Sequence, residues 1–339
     1  MKAGWILFAA LVAMALLSFL TPWRQIAGLL SEDRALAIAV LVELRLPRVV
    51  LAVAYGAMLG AAGAAVQALF ANPLASPDLT GTTSGAALGA VVTAYLFGFS
   101  APLALSIGSV AGALGALVLL IALAGPRAET ATLLLSGLAI SALAGALTTL
   151  ALALAPSPFA FYDAYDWLMG SLVDRSLEQA AFAALPALIA IALLWRLRSA
   201  LDSLTLGEEV AQSLGHSVGA LRIQIVVVTA LGVGACVAIA GAIGFLGLVA
   251  PIFARRLTGG HPGRAILPAA LIGALLLLAA DLAVRLAPLG RTLPIGVLTA
   301  LLGAPFFLWL VAHMRWRLSA CACWPPRTCV SAAAWKRRL

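Results

Sequence analysis

The stretch GAAVQALFANPLASPDLTG, residues 63–81, follows an apolar run that is long enough to cross a bilayer. It contains the amides Gln67 and Asn72 and the prolines Pro73 and Pro77. In hydrocarbon every peptide N–H and C=O must be satisfied internally, so irregular backbone is tolerated only inside protein or beside a water-filled cavity. Transport proteins have interrupted helices of this kind along their pathways. The stretch therefore predicts a break in a membrane helix beside a pathway.

The composition indicates a membrane protein. The chain has 339 residues, of which 63% are hydrophobic and 10% are charged, whereas soluble domains have about 45–50% apolar and about 25% charged residues. A span needs about 20 residues, so the chain has room for about ten spans and none for a large soluble domain. The net charge of +8 lies in short loops, where orientation in the membrane explains it better than nucleic-acid binding does. We expect lipid contact and no nucleic-acid partner.

Ten candidate spans predict an all-α membrane domain over residues 1–315. They are residues 4–21, 48–68, 82–99, 102–124, 132–155, 178–195, 223–243, 244–257, 264–284 and 294–313. The eighth contains Pro251 and reads as a half-span. The first has an apolar core that is too long for most signal peptides, and no clear A-x-A cleavage site follows it. Placing both termini in the cytoplasm puts more lysine and arginine inside, and residues 316–339 are predicted to be a disordered cytoplasmic tail.

The two halves of the chain echo each other weakly. Residues 63–73 align without a gap on residues 241–251, and a glycine, an alanine, an apolar position and the final proline coincide. Matching interrupted segments in two halves are typical of transporter cores. Chance similarity between helices that are rich in small residues is the alternative. The motifs Gly56-x-x-x-Gly60 and Gly108-x-x-x-Gly112 are predicted to allow close helix packing.

A series of motifs resembles a known family. In chain order they are RLPR (45–48), QALFANPLASP (67–77), LSG (135–137), WLMGS (167–171), LGEEVAQSLG (206–215), GAIGFLGLVAP (241–251), ADLAVR (280–285) and LPIGVLTALLGAPFF (293–307). Together they resemble the FecCD-type permease subunits of binding-protein-dependent ABC importers. The resemblance implies a type II importer bundle like that of the cobalamin permease, with ten helices per subunit. It also implies a homodimer, two cytoplasmic ATPases and a periplasmic binding protein in the bacterial inner membrane. The cargoes that the resemblance implies are ferric siderophores, haem or cobalamin.

A short segment between two spans is the candidate contact with an ATPase. The chain contains no G-x-x-x-x-G-K-[ST] phosphate loop, so its sequence offers no nucleotide site of its own. In residues 203–216, Thr205-x-x-Glu208 reads as a capping box, and Gly215 is suited to end the helix. A helix lying on the membrane surface is the alternative. The resemblance implies a coupling helix that includes Leu206, Gly207, Glu208, Glu209, Val210, Leu214 and Gly215.

Three arginines near the other ends of the spans are candidates for docking a soluble protein. Arginine binds carboxylates through two parallel hydrogen bonds, and the resemblance implies that Arg45, Arg48 and Arg285 meet glutamates of the binding protein. Contact with lipid headgroups is the alternative. Asp281 lies one helical turn before Arg285, so these two residues are also predicted to form a pair.

The resemblance assigns two constrictions to the pathway. Asn72 and Leu74, with Pro73 between them, match the cytoplasmic constriction after the second span. Thr130 and Ala131 match a second constriction before the fifth span, although Ala131 departs from the hydroxyl residue expected there. Gln67 is predicted either to contact cargo or to bond one helix to another.

Other chemistry has little support in the sequence. The spans lack the paired carboxylates that an ion-coupled secondary transporter usually needs, and they lack a nucleophile–base set for a membrane-embedded enzyme. The histidines are far apart, so no metal site or cofactor is expected. Cys236 is predicted to be an inert packing residue. Cys321, Cys323 and Cys329 fit no standard zinc spacing, and we assign the tail no function.

Overall fold

The computed structural model describes residues 2–99, 101–125, 130–155, 157–287 and 293–322 of the chain. Within these ranges the chain is almost entirely helical and contains no β-strand. This confirms the predicted all-α membrane fold. The helices are α1 (Lys2–Leu20), α2 (Trp23–Glu32), α3 (Arg34–Ala39), α4 (Leu46–Leu69), α5 (Thr82–Tyr95), α6 (Pro102–Ala124), α7 (Thr130–Ala153), α8 (Pro158–Leu168), α9 (Leu177–Arg196), α10 (Arg198–Ser203), α11 (Glu208–Ser213), α12 (Val218–Ala240), α13 (Leu246–Leu257), α14 (Pro262–Leu286) and α15 (Ile295–Ala322).

Each predicted span coincides with one helix, and for all except α5 and α13 that helix is apolar by length and composition. Six described helical segments are long and apolar enough to cross a membrane, and two shorter apolar helices lie at residues 4–20 and 295–309. The predicted half-span is the twelve-residue α13, which contains Pro251. The helices α2, α3 and α8 were not predicted, because their sequences are too polar or too short to give a span signal.

The helix α4 forms the centre of the bundle, and α14 packs against it in the antiparallel direction. A Cβ atom added at Gly56 would lie 2.5 Å from the carbonyl oxygen of Gly273, and one added at Gly60 would collide with the backbone of Ala269. These contacts need a residue without a side chain, because only then do two helix backbones approach so closely. The predicted packing role of the Gly56-x-x-x-Gly60 motif is therefore confirmed.

A second glycine contact joins α5 to α6. A Cβ atom added at Gly108 or Gly112 would collide with the glycines of α5, Gly89 and Gly85. The hydroxyl group of Ser109 also donates a hydrogen bond to the carbonyl oxygen of Gly234 in α12, at 2.8 Å. The second predicted small-residue motif thus also packs helix against helix.

Residues Met1–Ala300 form one compact unit, and the described residues from Leu301 to Ala322 belong to a second unit. All sites discussed below lie in the first unit. The helix α15 continues to Ala322, so it passes the predicted end of the last span at residue 313. Cys236 is fully buried in α12, in agreement with a packing role. The side chain of Cys321 and the whole of Cys323 and Cys329 lie outside the described residues.

Candidate functional site

The gate loop, residues 70–81, joins α4 to α5 as an irregular segment. Its first turn is folded by Asn72, whose Oδ1 accepts a hydrogen bond from the N–H of Leu74 at 2.9 Å. Ala71 has a φ of 46°, in the left-handed region that few non-glycine residues adopt. Ala71 and Pro73 are exposed, whereas Asn72 and Leu74 are partly buried. The predicted constriction residues thus lie at the accessible tip of the loop.

The second half of the gate loop is tied into the bundle. The hydroxyl groups of Thr80 and Thr82 both donate to the carbonyl oxygen of Pro77, at 2.7 and 2.8 Å. Ser141 on α7 donates to the carbonyl oxygen of Asp78 at 3.0 Å. Burial raises the pKa of the Asp78 carboxyl group, and a hydrogen bond from the backbone of Phe245 opposes this shift. The loop is therefore held by α7 and by the start of α13.

The two segments that echo each other in the sequence pack together in the structure. A Cβ atom added at Gly63 on α4 would collide with the backbone of Gly247 on α13. Four residues further along α4, the Nε2 of Gln67 donates to the carbonyl oxygen of Leu248 at 3.3 Å. Gln67 is fully buried, so its described contact is between helices. Contact of Gln67 with cargo stays a prediction.

Three of the motifs meet at one place, which we call the glycine junction and define by Gly170, Gly241 and Gly296. The backbone segments that meet there are joined by hydrogen bonds. Ser171 N–H donates to the carbonyl oxygen of Ala240, and the N–H of Ile295 donates to that of Gly170, each at 2.9 Å. A Cβ atom added at Gly241 would collide with the carbonyl oxygen of Trp167, near the end of α8. One added at Gly296 would collide with that of Met169, just after α8. The junction therefore joins α8, α12 and α15.

Sequence reasoning missed the residue that holds this junction to α4. Tyr55 is fully buried, and its hydroxyl group donates to the carbonyl oxygen of Gly241 at 2.9 Å. The hydroxyl oxygen of Tyr55 in turn accepts a hydrogen bond from the N–H of Ile243 at 3.3 Å. These bonds satisfy backbone groups that the interruption after α12 would leave unpaired. A tyrosine inside an otherwise small-residue apolar helix was the only signal in the sequence.

The arginine cluster, Arg45, Arg48 and Arg285, lies at one end of α4 and α14. The Nε of Arg48 pairs with Asp281 Oδ1 at 2.6 Å, and Arg285 pairs with the other oxygen of the same carboxylate. Asp281 is fully buried. The predicted pair between Asp281 and Arg285 is thus present, and it includes Arg48, which was not foreseen.

The arginine cluster also holds the end of α1. A guanidinium nitrogen of Arg45 donates to the carbonyl oxygens of Phe19 and Thr21, at 3.2 and 2.5 Å. Arg285 donates to the carbonyl oxygen of Ser18 at 2.8 Å and also contacts its hydroxyl group. Carbonyl groups at a helix C-terminus lack helical partners, so these arginines cap α1. Docking of a binding protein on the same arginines stays a prediction.

The surface segment, residues 198–216, contains α10, a 3₁₀ turn at Leu204–Leu206, and α11. The predicted capping box is wrong. Thr205 lies within the 3₁₀ turn and donates its hydroxyl to the carbonyl oxygen of Asp202 at 2.7 Å, while Gly207 precedes α11 with a φ of 102°. The extra turn moves Thr205 away from the position that caps the helix.

The predicted end of α11 at Gly215 is confirmed. Gly215 has a φ of +86°, its N–H bonds to the carbonyl oxygen of Gln212, and the N–H of His216 bonds to that of Ala211. This is a Schellman motif, which glycine favours because it has no Cβ atom. The helix α11 is thus a short helix with a defined start and end.

Apolar side chains project from the surface segment. Leu206, Val210 and Leu214 are 64%, 42% and 60% exposed, whereas Ala211 is buried. The segment is fixed to the start of α14, because Asp202 accepts a hydrogen bond from the N–H of Gly263 at 2.8 Å. The exposed apolar ridge therefore lies at the end of α14 opposite to the arginine cluster.

The second predicted constriction is only partly described. The helix α7 begins at Thr130, and the side chains of Thr130 and Ala131 lie outside the described residues. Ser141, further along α7, is the described link between this helix and the gate loop.

Interrupted helices that pack on each other inside a multi-span bundle are typical of membrane transport proteins. The chain belongs to the FecCD transport family, whose model matches residues 5–313. It is 38% identical over 295 residues to the Fe(3+)-citrate import system permease protein YfmE of Bacillus subtilis, covering 86% of this chain and 87% of that protein. It is 41% identical over 284 residues to the vitamin B12 import system permease protein BtuC of Vibrio cholerae, covering 80% and 82%.

Solved structures share the fold. A protein described as a metal-chelate type ABC transporter, in an inward-facing conformation, matches with a TM-score of 0.79 and 30% identity over 92% of this chain and 99% of the other. PsaBC from Streptococcus pneumoniae matches with a TM-score of 0.55 and 17% identity, over 84% and 94% of the two chains. The second likeness concerns the fold alone.

Proposed function

We propose that this chain is the permease subunit of an ATP-driven importer that moves a metal chelate across the bacterial inner membrane by alternating access. The relatives named for ferric citrate and vitamin B12 import support the class of cargo. Metal chelates of both kinds are large, so their passage needs a wide path rather than a selective pore. We favour an iron chelate as the cargo.

The observation that carries this proposal is the exposed apolar ridge on the surface segment. Leu206, Val210 and Leu214 present an apolar edge that a groove on a soluble partner can bury. The hydrogen bond from Gly263 to Asp202 connects this edge with α14, which in turn packs along α4 up to the gate loop. Movement of a bound ATPase would therefore reach the gate loop through two packed helices.

The remaining partners follow from the same proposal. Two copies of the chain form the pathway between them, and a dimer of ATP-binding subunits docks on the two surface segments. A periplasmic binding protein delivers cargo to the opposite face, where the arginine cluster lies. Both termini are in the cytoplasm. The chain carries out no covalent chemistry.

The gate loop is the proposed moving part. Asn72, Pro73 and Leu74 form one constriction, and Thr130 and Ala131 form the other. The described link from Ser141 to Asp78 joins α7 to the gate loop, so a shift of α7 would move both constrictions together. ATP binding and hydrolysis on the partner subunits then open and close the path.

Reconstitution in proteoliposomes tests this function. The chain is combined with its ATPase and binding protein, and uptake of ferric citrate, haem and cobalamin is measured in parallel. We expect ATP-dependent uptake of one chelate, and no uptake when the ATPase carries a substitution of its phosphate-loop lysine. An ionophore that collapses ion gradients should leave uptake unchanged. Uptake at full rate on an ion gradient without the ATPase would show a secondary transporter instead.

A further inference from the structure

A small cavity lies where five helices meet, away from the gate loop and the surface segment. Its volume is about 210 Å³. It is enclosed by the ends of α5 and α12, the beginnings of α6 and α9, and α8. Because α9 runs from this cavity to the surface segment, the two sites lie at opposite ends of the bundle. Its lining is apolar except for Tyr95, Trp167, Arg175 and Gln179.

Three of these polar side chains offer the cavity hydrogen-bond donors. Arg175 and the indole of Trp167 have donors only. The Oε1 of Gln179 already accepts a hydrogen bond from the N–H of Ser176 at 3.1 Å, in the capping box that begins α9. Gln179 therefore has its NH₂ group to offer. Residues with hydrogen-bond donors that line an apolar cavity favour a ligand with acceptor oxygens.

Arg175 has a charge without a described partner. Its Nε is buried and makes no hydrogen bond within the described residues, and among the described side chains no carboxylate lies within 4.0 Å of its guanidinium group. Burial lowers the pKa of Arg175, and the negative charge of neighbouring Asp174 opposes this shift. A partly buried cation without a partner is unfavourable unless an anion joins it.

We propose that this cavity binds a small anion through a carboxylate or phosphate group. The guanidinium group of Arg175 would bind two of its oxygens, with Gln179 and Trp167 donating from the side. The apolar wall, which includes Val91, Leu105 and Ile239, accommodates a short carbon chain. The cavity is too small for a bulky chelate, so the site is separate from the cargo pathway.

The position of the site connects it with the glycine junction. Trp167 lines the cavity, and its carbonyl oxygen is the atom that a Cβ atom at Gly241 would strike. A bound anion would thus hold α8 against the end of α12. The site therefore stabilises the part of the bundle where the three glycine motifs meet.

Thermal unfolding of the full chain in nanodiscs of zwitterionic lipid tests the proposal. Acetate, citrate and phosphate are titrated at constant ionic strength, and the rise in unfolding temperature gives an apparent dissociation constant. We expect saturable stabilisation by at least one of these anions. Arg175→Gln should weaken binding by about tenfold or more, since it removes a charge-assisted contact. Arg34→Gln removes one exposed charge elsewhere and should leave the constant unchanged.

A second lipid composition identifies the source of the anion, and a second variant covers the case in which Arg175→Gln does not fold. The same measurement is repeated in nanodiscs that contain phosphatidylglycerol. If this lipid raises the unfolding temperature of the wild type but not of Arg175→Gln, and also blocks citrate binding, the ligand is a lipid phosphate. Citrate binding that is unaffected by this lipid would identify a soluble anion. Arg175→Lys keeps the charge and should retain weaker binding if Arg175→Gln does not fold. The proposal is overturned if no anion stabilises the wild type in either lipid, or if Arg34→Gln weakens binding as much as the Arg175 variants do.

Discussion

The two ends of α14 differ in whether their key side chains are buried inside the chain or exposed on its surface. At one end the buried carboxylate of Asp281 joins Arg48 to Arg285, and these contacts fasten α1 to the bundle. At the other end Asp202 fixes the surface segment, which exposes Leu206 and Val210. At the arginine end the carboxylate of Asp281 is paired within the chain, although the buried Nε of Arg285 makes no hydrogen bond within the described residues. The surface segment has apolar area that only another molecule can cover.

This difference changes how docking at each end must be tested. Charge reversal at Arg48 would place a glutamate beside buried Asp281, so the fold would weaken together with any docking surface. Substitutions on the exposed ridge of the surface segment touch few internal contacts. The ridge can therefore be tested directly, whereas the arginine cluster needs a stability measurement beside each binding measurement.

The largest expected effect comes from Asp281→Asn. It leaves two partly buried guanidinium groups without their carboxylate, and breaking a buried pair in this way costs about 3–5 kcal/mol. The free energy of unfolding in mixed micelles measures this loss. Asp166→Asn on α8 removes an exposed carboxylate and serves as the matched control. A loss of less than about 1 kcal/mol, as for exposed pairs, would show that the ion pairs of the arginine cluster stabilise the fold no more than the exposed pair of the surface segment does.

The next effect is on assembly with the ATPase. Replacing Leu206, Val210 and Leu214 together by serine should weaken ATPase binding by about a hundredfold, since interface anchors contribute about 2 kcal/mol or more each and are not additive. Unfolding stability should stay within about 0.5 kcal/mol, as is usual for surface changes. Leu36→Ser, an exposed residue on α3, is the control. Equal loss of ATPase binding in the control would remove the ridge from the interface.

A smaller effect is expected for docking at the arginine cluster. Arg45→Gln removes a charge without touching Asp281, and it should weaken binding of the periplasmic protein by about tenfold, the value of one charged contact. Titration of labelled binding protein onto nanodiscs measures it, with unfolding stability recorded for the same sample. Unchanged docking would leave Arg45 with its contacts to Phe19 and Thr21 as its whole role.

Much of the fold could be predicted because a long apolar run in lipid must form a helix to satisfy its backbone hydrogen bonds. The positions of the ten predicted segments, one of them the half-span at α13, and the close approach at Gly56 and Gly60 follow from hydrophobic length and small-residue spacing. The end of α11 at Gly215 was predictable because glycine is favoured in the left-handed conformation found there. These features are local in the sequence.

Features that depend on distant residues could not be predicted from the sequence. The bond from Tyr55 to Gly241 and the pairing of Arg48 with Asp281 join segments almost two hundred residues apart or more, and no local pattern encodes them. The capping box at Thr205 failed for a related reason, because Thr205 lies in a 3₁₀ turn and Gly207 takes the cap position of α11. The cavity that Arg175 lines forms only where five helices meet, so no local pattern in the sequence indicates it.

The smallest expected effect compares ion pairs at the two ends. Glu208 pairs with Arg222 at 3.4 Å on the surface segment, and the glutamate side chain is 61% exposed. Exposed pairs contribute about 0–1 kcal/mol, so Glu208→Gln should change unfolding stability far less than Asp281→Asn does. The small difference should vanish at about 1 M salt, where the screening length falls to about 3 Å. A loss that equals that of Asp281→Asn, or that persists in high salt, would mean that the surface segment is held by the same buried electrostatics as the arginine end.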